Sequence, residues 1–428
     1  MSFSGVFSIG LSGLNAFATS LQAVSDNIAN SQTVGFKRAR ANFADLVTVE
    51  AAGTPTPLGT GVSAVNRQLM REQGALTRTA SETDLAISGA GFFVVSETAD
   101  GATATAPFLF TRSGGFVPNA NGDLVNGAGY FLRGAPIGAN GVIPSSFSLA
   151  ALETVNINRI PGLAAATTFA ALAGNLDPNS PLSPALATYN PADPAVNMTS
   201  GAIAADFAQS FQIFDADGNG ATLTLAFLRA GADRWNVEAS VTPDGGTAGQ
   251  IAAGVLAFHA AGDIDAGATT FPSTLSTGFT GAPVALDLGG LKQLAGTTRV
   301  FSANADGAAF GALSGVEVGD NGLVTALFEN GLKRDIYQLP LALFINPEGL
   351  ENAAASAFLS TPDAGDIRLA RPADGPAGLL EAQALEISTV DIGQEFSTLI
   401  ATQRAYSANA RIITIADELW RTLAETAA

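Results

Sequence analysis

Residues 392–420, IGQEFSTLIATQRAYSANARIITIADELW, carry the clearest structural signal in the chain. Most of the positions that recur at alternating steps of four and three residues are apolar. They are Ile392, Phe396, Leu399, Gln403, Tyr406, Ala410, Ile413, Asp417 and Trp420. A period of 3.5 residues places such a stripe on one side of an α-helix that packs on another helix. The pattern therefore predicts a C-terminal helix that needs a partner.

The same spacing occurs near the other end of the chain. It runs through Leu11, Leu14, Ala18, Leu21, Ser25 and Ile28. Neither helix has a local partner, so the simplest arrangement pairs the two and makes the intervening chain an insertion. Both helices also carry apolar residues off these stripes, such as Phe7 and Ile412. Helices that are apolar on more than one side must be covered by neighbours, which is typical of a subunit of an assembly.

Composition limits the function classes. The chain has 428 residues, enough for two to four domains, and 47% of them are hydrophobic while 14% are charged. Its net charge of −18 argues against nucleic-acid binding, which requires a basic surface. With no cysteine, the chain has no disulfide or thiol chemistry. No apolar run reaches the roughly 18 residues of a membrane span, and the N-terminus lacks a basic segment before an apolar core. We therefore expect no cleaved signal peptide.

Between the helices, period-two patterning and Asn-Gly turns predict β-structure. The predicted fold class is mixed and mainly β, with nested discontinuous β domains inserted between N- and C-terminal α-helices that pair as a coiled coil. The predicted segments are paired terminal helices (1–30 and 380–428), an extended linker with short strands (31–75), a middle β domain (76–158 and 303–370), an outer inserted β domain (160–300) and a hinge (371–379).

Candidate chemical sites are weak. Asp215-Ala-Asp217-Gly-Asn219-Gly220 resembles the first half of a calcium loop, but it lies between two predicted strands and lacks the final glutamate. A hairpin turn is the better interpretation. His259 has no acidic pattern beside it, and Asp263 and Asp265 fit turn residues better than a glycosidase pair. We expect no catalytic, cofactor or metal site.

Short motifs at both ends carry a family resemblance. They are Leu11-Ser-Gly-Leu-Asn15, Ser25-Asp-Asn27-Ile-Ala-Asn30, Thr33-Val-Gly35-Phe36-Lys37, Phe110-Thr-Arg-Ser-Gly-Gly, Leu385-Glu-Ile-Ser-Thr-Val-Asp391 and Gln403-Arg404-Ala-Tyr-Ser-Ala-Asn409. Together they are similar to the signature of the bacterial flagellar rod and hook axial proteins. Thr389 and Arg411 depart from it, standing where the family usually has Asn and Lys. The chain length and the acidic insertion at 160–300 favour the hook branch.

The resemblance implies a structural subunit of the flagellar hook, not an enzyme. Such a subunit would be exported through the type III apparatus and would polymerise outside the cell into a flexible tube that carries motor torque. Expected partners are further copies of the chain, the rod, the hook cap and the hook–filament junction proteins. The alternatives are a distal rod protein of the same family, or a secreted β-rich polysaccharide-binding protein or hydrolase.

Two sets of residues are expected to matter. The assembly set comprises Leu11, Leu14, Leu21, Ile28, Ile392, Phe396, Leu399, Tyr406, Ile413 and Trp420. The family-motif set comprises Asn15, Asn27, Asn30, Gly35, Phe36, Lys37, Gln403, Arg404 and Asn409. We also expect the cations of the linker to meet acidic surface on a neighbouring subunit. These cations are Lys37, Arg38, Arg40, Arg67 and Arg71.

Overall fold

The computed structural model describes residues 3–48, 58–99, 107–138 and 140–426. Two long helices, α1 (Phe3–Ala29) and α2 (Ile392–Thr426), stand at the two ends of the chain and pack against each other. The chain between them is mainly β-strand. The predicted fold class, mainly β with paired terminal helices, is confirmed.

The strands follow one another closely along the chain. The first are β1 (Ala39–Thr48), β2 (Leu58–Gln68), β3 (Leu76–Arg78), β4 (Leu85–Ser88), β5 (Phe92–Ser96), β6 (Leu109–Thr111), β7 (Phe116–Pro118), β8 (Leu124–Asn126), β9 (Phe131–Pro136), β10 (Glu153–Thr154), β11 (Gly162–Ala165) and β12 (Phe169–Asn175). The next are β13 (Phe207–Phe214), β14 (Gly220–Arg229), β15 (Arg234–Pro243), β16 (Gly249–Ala257), β17 (Thr274–Leu275), β18 (Val284–Lys292), β19 (Arg299–Ala305) and β20 (Ala308–Val318). The last are β21 (Leu323–Phe328), β22 (Lys333–Gln338), β23 (Leu341–Leu343), β24 (Glu351–Asn352), β25 (Ala357–Leu359), β26 (Arg368–Ala370), β27 (Leu379–Ala382) and β28 (Ala384–Glu386).

The predicted linker of residues 31–75 contains a long antiparallel hairpin. Strands β1 and β2 pair from Ala39 opposite Gln68 to Thr48 opposite Leu58. The hairpin lies along α1, so this segment is more regular than the extended linker predicted from its lack of period. The Gly- and Pro-rich part of the predicted linker, residues 49–57, lies outside the described residues.

The C-terminal helix begins later than predicted. Residues 380–391 were expected to be helical, but β27 pairs with β4 and β28 pairs with β3, and α2 begins only at Ile392. Side chains alternate here as in a strand: Ala384, Glu386 and Ser388 are buried, whereas Leu385 is half-buried and Ile387 is exposed. Thus the last sheet strand lies six residues before the helix.

The chain divides into two compact units. The first comprises Met1–Arg159, Val316–Ala326 and Arg334–Ala428, and the second comprises Ile160–Gly315 and Leu327–Lys333. The predicted outer domain of residues 160–300 lies wholly in the second unit. Residues 303–315, which were assigned to the middle domain, also belong to the second unit.

The core of the first unit is rich in aromatic side chains. Phe92, Phe110 and Phe358 are buried, and Phe344 packs against them. Its ring centroid lies 4.9 Å from that of Phe110 and 5.9 Å from that of Phe92, both edge to face. Such pairs favour one fixed arrangement over a fluid core.

The second unit contains two four-stranded sheets that share one core. One sheet has the order β17-β18-β12-β19, and the other is the antiparallel meander β13-β14-β15-β16. Alternate residues of both sheets, such as Leu172, Leu225 and Trp235, are buried between them. The turn from Asp215 to Gly220 joins β13 to β14, as the hairpin interpretation predicted. Its first carboxylate accepts hydrogen bonds from the N–H groups of Asp217 (3.0 Å) and Asn219 (2.8 Å).

A buried carboxylate fixes a long loop to the outer face of this meander. Glu238 of β15 is 1% exposed and accepts hydrogen bonds from the N–H groups of Met198 (3.1 Å) and Thr199 (2.8 Å). Burial, reinforced by the nearby Glu238, raises the pKa of Tyr189. The loop therefore covers apolar surface around Leu228 that would otherwise face water.

Candidate assembly site

Small residues close the contact between the two terminal helices. On α1 the buried positions include Gly10, Gly13, Ala16, Ser20 and Ala23, and on α2 they are Glu395, Thr402 and Ala416. A Cβ atom added at Gly13 would lie 2.8 Å from Asn409 Oδ1, and one at Gly10 would lie 3.1 Å from Ile413 Cγ1. The two backbones can approach this closely only because side chains are missing from the contact.

Half of the bulky stripe predicted to form this contact is exposed in the subunit. Among the assembly residues, the exposed fractions are 47% for Leu11, 44% for Ile392, 50% for Phe396, 38% for Tyr406 and 59% for Trp420. Leu14, Leu21, Ile28, Leu399 and Ile413 are half-buried. The predicted pairing of the helices is correct, but only half of the predicted stripe is partly buried within the subunit, including Ile413, which lies against Gly10. The close contact between the helices requires small side chains. The apolar pattern of the sequence marks large side chains instead.

Asn27 joins α1 to the hairpin. Its side chain is 1% exposed and forms two hydrogen bonds with one residue of β1. The Asn27 amide donates to Ala39 O (2.7 Å), and the Ala39 N–H donates to Asn27 Oδ1 (2.8 Å). Farther along, the Val62 N–H of β2 donates to Ser12 Oγ (3.2 Å). Buried polar atoms are therefore satisfied in pairs, which fixes the register of the hairpin on the helix.

The other polar motif residues of the helices fall into two groups. Asn30 ends α1 by donating to Asp26 O (2.9 Å), and Asn409 donates to Ala405 O (3.0 Å) beneath Gly13. The exposed members are Asn15, Gln403 and Arg404. For these three, the described residues give no role within the subunit.

Gly35 occupies a position that only glycine fits. Its φ is +70°, in the left-handed region, and an added Cβ would lie 2.5 Å from Ser113 N. Its N–H donates to Glu386 O (2.8 Å). The next residue, Phe36, is buried, and its carbonyl accepts from the Thr389 N–H (3.1 Å). The segments that follow α1 and precede α2 are thus bound to each other.

A buried ionic cluster lies at this crossing. Glu386 is 0% exposed and pairs with Lys37 Nζ (2.5 Å) and Arg112 (3.2 Å). Its carboxylate also accepts from the Gly74 N–H (2.8 Å), and Lys37 donates to Glu72 O (2.5 Å). We call Lys37, Arg112 and Glu386 the ion triad. It joins three parts of the chain. Lys37 belongs to the segment after α1, Glu386 to the strand before α2, and Arg112 directly follows β6 in the sheet of the first unit.

Burial and charge act in opposite directions in the ion triad. Burial lowers the pKa of Lys37, and Glu386 opposes that effect while Arg112 adds to it. Burial also lowers the pKa of Arg112, again against the attraction of Glu386. Because desolvated cations are costly, each depends on the single carboxylate between them. Sequence inspection singled out Lys37 as a motif residue but gave no sign of its partners.

The linker cations were expected to meet acidic surface on a neighbouring subunit, and for the buried Lys37 this is wrong. Most of the others also have partners within the subunit. Lys37 is buried in the ion triad, and Arg38 lies 3.5 Å from Glu72 and 3.7 Å from Glu395. The remaining partners are Glu348 for Arg67 (3.7 Å) and the Ile345 carbonyl for Arg71 (3.2 Å). Within the described ranges, Arg40 alone of the five has neither an ion pair nor a side-chain hydrogen bond.

The weak chemical candidates are engaged in local structure. His259 Nδ1 lies 3.7 Å from Asp265, and Asp263 pairs with Lys292. Asp265 also accepts from the Gly267 N–H (2.9 Å), as a turn residue does. Over the described ranges, no group of three or more acidic or histidine side chains is arranged to hold a metal ion. In the same ranges, neither long helix is apolar enough over a sufficient length to cross a membrane.

Comparison with known families covers most of the chain. Residues 7–37 match the flagella basal body rod protein model, and residues 381–426 match the flagellar basal body rod FlgEFG protein C-terminal model. Residues 86–160 match the flagellar hook protein FlgE/F/G D1 domain, and residues 175–308 match the flagellar basal body protein FlaE D2 domain. The chain is 36% identical over 420 residues to the flagellar hook protein FlgE of Brucella suis, covering 98% of both chains. The chain belongs to the flagellar hook protein family.

Other members of the hook protein family extend the likeness. The hook protein FlgE of Escherichia coli K12 is 30% identical over 424 residues, covering 97% of this chain and 98% of its own. The solved structure of Helicobacter pylori FlgE2 covers 72% of this chain and 100% of its own, with 14% identity and a TM-score of 0.47. As a member of the flagellar hook protein family, this chain is a structural subunit of the bacterial flagellar hook.

The ion triad generates a stability prediction. Glu386→Gln keeps the shape of the side chain but leaves Lys37 and Arg112 without a buried counter-ion. We expect the free energy of unfolding of the first unit to fall by about 3–5 kcal/mol, measured by denaturant titration. Glu381→Gln, on the exposed side of β27, is the matched control and should change it by less than about 0.5 kcal/mol. Equal effects of the two substitutions would contradict the role of the triad.

Proposed function

We propose that the chain polymerises into a tubular, flexible hook that acts as a universal joint and transmits motor torque to the flagellar filament. Its partners are further copies of itself, together with the rod, the hook cap, the hook–filament junction proteins and the type III export apparatus. Export proceeds without a cleaved signal peptide. The polymer lies outside the cell and is attached to the basal body.

The observation that carries this proposal is the exposure of bulky apolar side chains on a helix pair that is already closed. Small residues complete the contact between α1 and α2, so the large residues remain uncovered. On α2 the exposed fractions include 45% for Ile412, 55% for Ile415 and 53% for Leu419. Contiguous exposed apolar surface of this kind marks an interaction site. Contacts among copies in a polymer would bury it.

Each part of the chain has a different place in the proposed tube. The terminal helices, including the assembly set from Leu11 to Trp420, form the inner core of the tube. The β-strands of the first unit supply the middle shell and the second unit the outer one. The buried and half-buried motif residues Asn27, Asn30, Gly35, Lys37 and Asn409 hold the helices, hairpin and sheet in register. The exposed Gln403 and Arg404 contact neighbouring subunits.

A charged side chain substituted on the exposed apolar surface of α2 tests assembly independently of folding. Ile415→Asp should leave the free subunit as stable as the wild type, because Ile415 is half exposed there. It should abolish tubes after salting-out, because the charge would be buried at several kcal/mol in every subunit. Electron microscopy of the product is the measurement, and Asn121→Asp, on the exposed turn between β7 and β8, is the control. Normal tubes from Ile415→Asp would refute an apolar inner core.

Straight, rigid wild-type tubes would favour the distal rod over the hook.

The second unit offers a test of the mechanical proposal. Its sandwich is entered and left at one point, where the Thr168 N–H donates to Asp306 Oδ1 (2.8 Å) and the Asp306 N–H donates to Phe169 O (3.2 Å). Deleting residues 169–305 and joining the ends with a short Gly-Ser linker should therefore leave β11 paired with β20. We expect tubes that form but are no longer curved. Loss of tubes, or unchanged curvature in electron micrographs, would refute a mechanical role of the outer unit.

A further inference from the structure

A groove of about 520 Å³ runs between α1, β1 and the first half of α2. Its floor is α1 from Phe17 to Val24, and its walls are β1 from Arg38 to Phe43 and α2 from Gln394 to Ala405. Many of the lining side chains are small, as they are throughout the contact between the helices. Small walls leave room for large side chains from elsewhere.

Aromatic surface lies uncovered in this groove. Phe43 of β1 is 46% exposed, although its ring packs against Phe17 with centroids 5.4 Å apart. Ala401 on the opposite wall is exposed as well. The groove thus leaves apolar surface open to solvent in the free subunit, which favours an apolar occupant.

The chain itself carries a matching apolar ridge on the other side of α2. Ile392, Phe396 and Tyr406 form this ridge, and all three are exposed. With 3.6 residues per turn, the ridge lies roughly 150° around α2 from the groove wall of Thr398, Ala401 and Ala405. A ridge and a groove on opposite sides of one molecule make head-to-tail contacts between copies, and such contacts propagate into rings or helical polymers.

Charge is complementary between the two surfaces. Arg40 lies in the groove wall, and no acidic side chain of the described ranges pairs with it. Asp391 directly precedes the ridge and is exposed, and its carboxylate accepts the Gln394 N–H (3.0 Å) but pairs with no cation of those ranges. An exposed pair between them would add little affinity, but it would favour one orientation of the ridge in the groove.

We propose that the groove formed by α1, β1 and α2 receives the ridge of Ile392, Phe396 and Tyr406 from a second copy of this chain. The inference rests on the proposed polymer and specifies its inner contact. Phe43 and Phe17 meet the apolar ridge residues, and Arg40 meets Asp391 of the neighbouring copy. Each subunit uses its groove for one neighbour and its ridge for another, so the contact repeats from copy to copy.

The absence of cysteine from the chain makes crosslinking a clean test. Ala41→Cys places a thiol in the groove wall, and Gln403→Cys places one on the ridge side of α2. Treating polymer that carries both substitutions with a short bismaleimide should give a ladder of dimers, trimers and higher multimers on a denaturing gel. Each single variant should remain mostly monomeric. As a matched pair, Gln403→Cys with Val117→Cys, exposed on β7 outside the groove, should give no ladder.

A second substitution tests the groove without crosslinking. Ala401→Trp fills the groove in place of the incoming ridge and should raise the critical concentration for polymerisation at least tenfold. Ala128→Trp, on the exposed turn between β8 and β9 outside the groove, should leave it within about twofold of the wild type. Both measurements use the full chain, with sedimentation of polymer as the readout.

The outcomes separate this inference from the function on which it rests. A ladder from the groove pair alone, together with a selective effect of Ala401→Trp, supports the contact. Polymer without a ladder, an equal ladder from the Val117 pair, or normal assembly of Ala401→Trp overturns it and leaves the polymer intact. If the unmodified chain forms no polymer, the proposed function fails and this inference fails with it.

Discussion

The ion triad is the constraint on which the arrangement of the first unit depends. One buried carboxylate, Glu386, pairs with two buried cations that come from distant parts of the sequence. Undocking either terminal segment would leave a desolvated charge without its partner, at a cost of several kcal/mol. Gly35 and Gly74 allow the backbones to come close enough for this geometry. The start of α2 and the end of α1 are therefore fixed to the same few residues of the sheet.

The close approach of the two helices leaves free the surface through which we propose that subunits assemble. If the bulky stripes faced each other within the subunit, the pair would be stable alone and would offer little to a neighbour. Because Gly10, Gly13 and Ala16 make the internal contact, the bulky side chains stay available. A pair that buries so little large apolar surface is only weakly stabilised against conformational entropy of about 1–2 kcal/mol per residue. Its stability then comes from neighbours, so that ordering of the helices and assembly are coupled.

The sequence predicts the helices, the hairpin turn after Asp215 and the meander of the second unit, because each depends on a local periodicity or a turn motif. It does not reveal which face of α1 meets α2. Heptad spacing marks both the bulky positions and the small positions beside them. Side-chain size favours the bulky positions, whereas the close contact between the helices is made by the small ones. The partnership of Lys37 with Glu386 spans 349 positions, and no local pattern encodes it. Asn27 was found as a motif residue, but its paired hydrogen bonds with Ala39 depend on where the hairpin lies.

Amide hydrogen exchange on the free subunit and on the polymer tests the coupling of helix order to assembly most directly. The account predicts that the amides of residues 399–413 exchange rapidly in the free subunit and become strongly protected in the polymer. Amides of the β4 and β5 strands, which belong to the sheet, should be protected in both states. Strong protection of residues 399–413 in the free subunit would contradict the account, because the helix pair would then be stable without its neighbours.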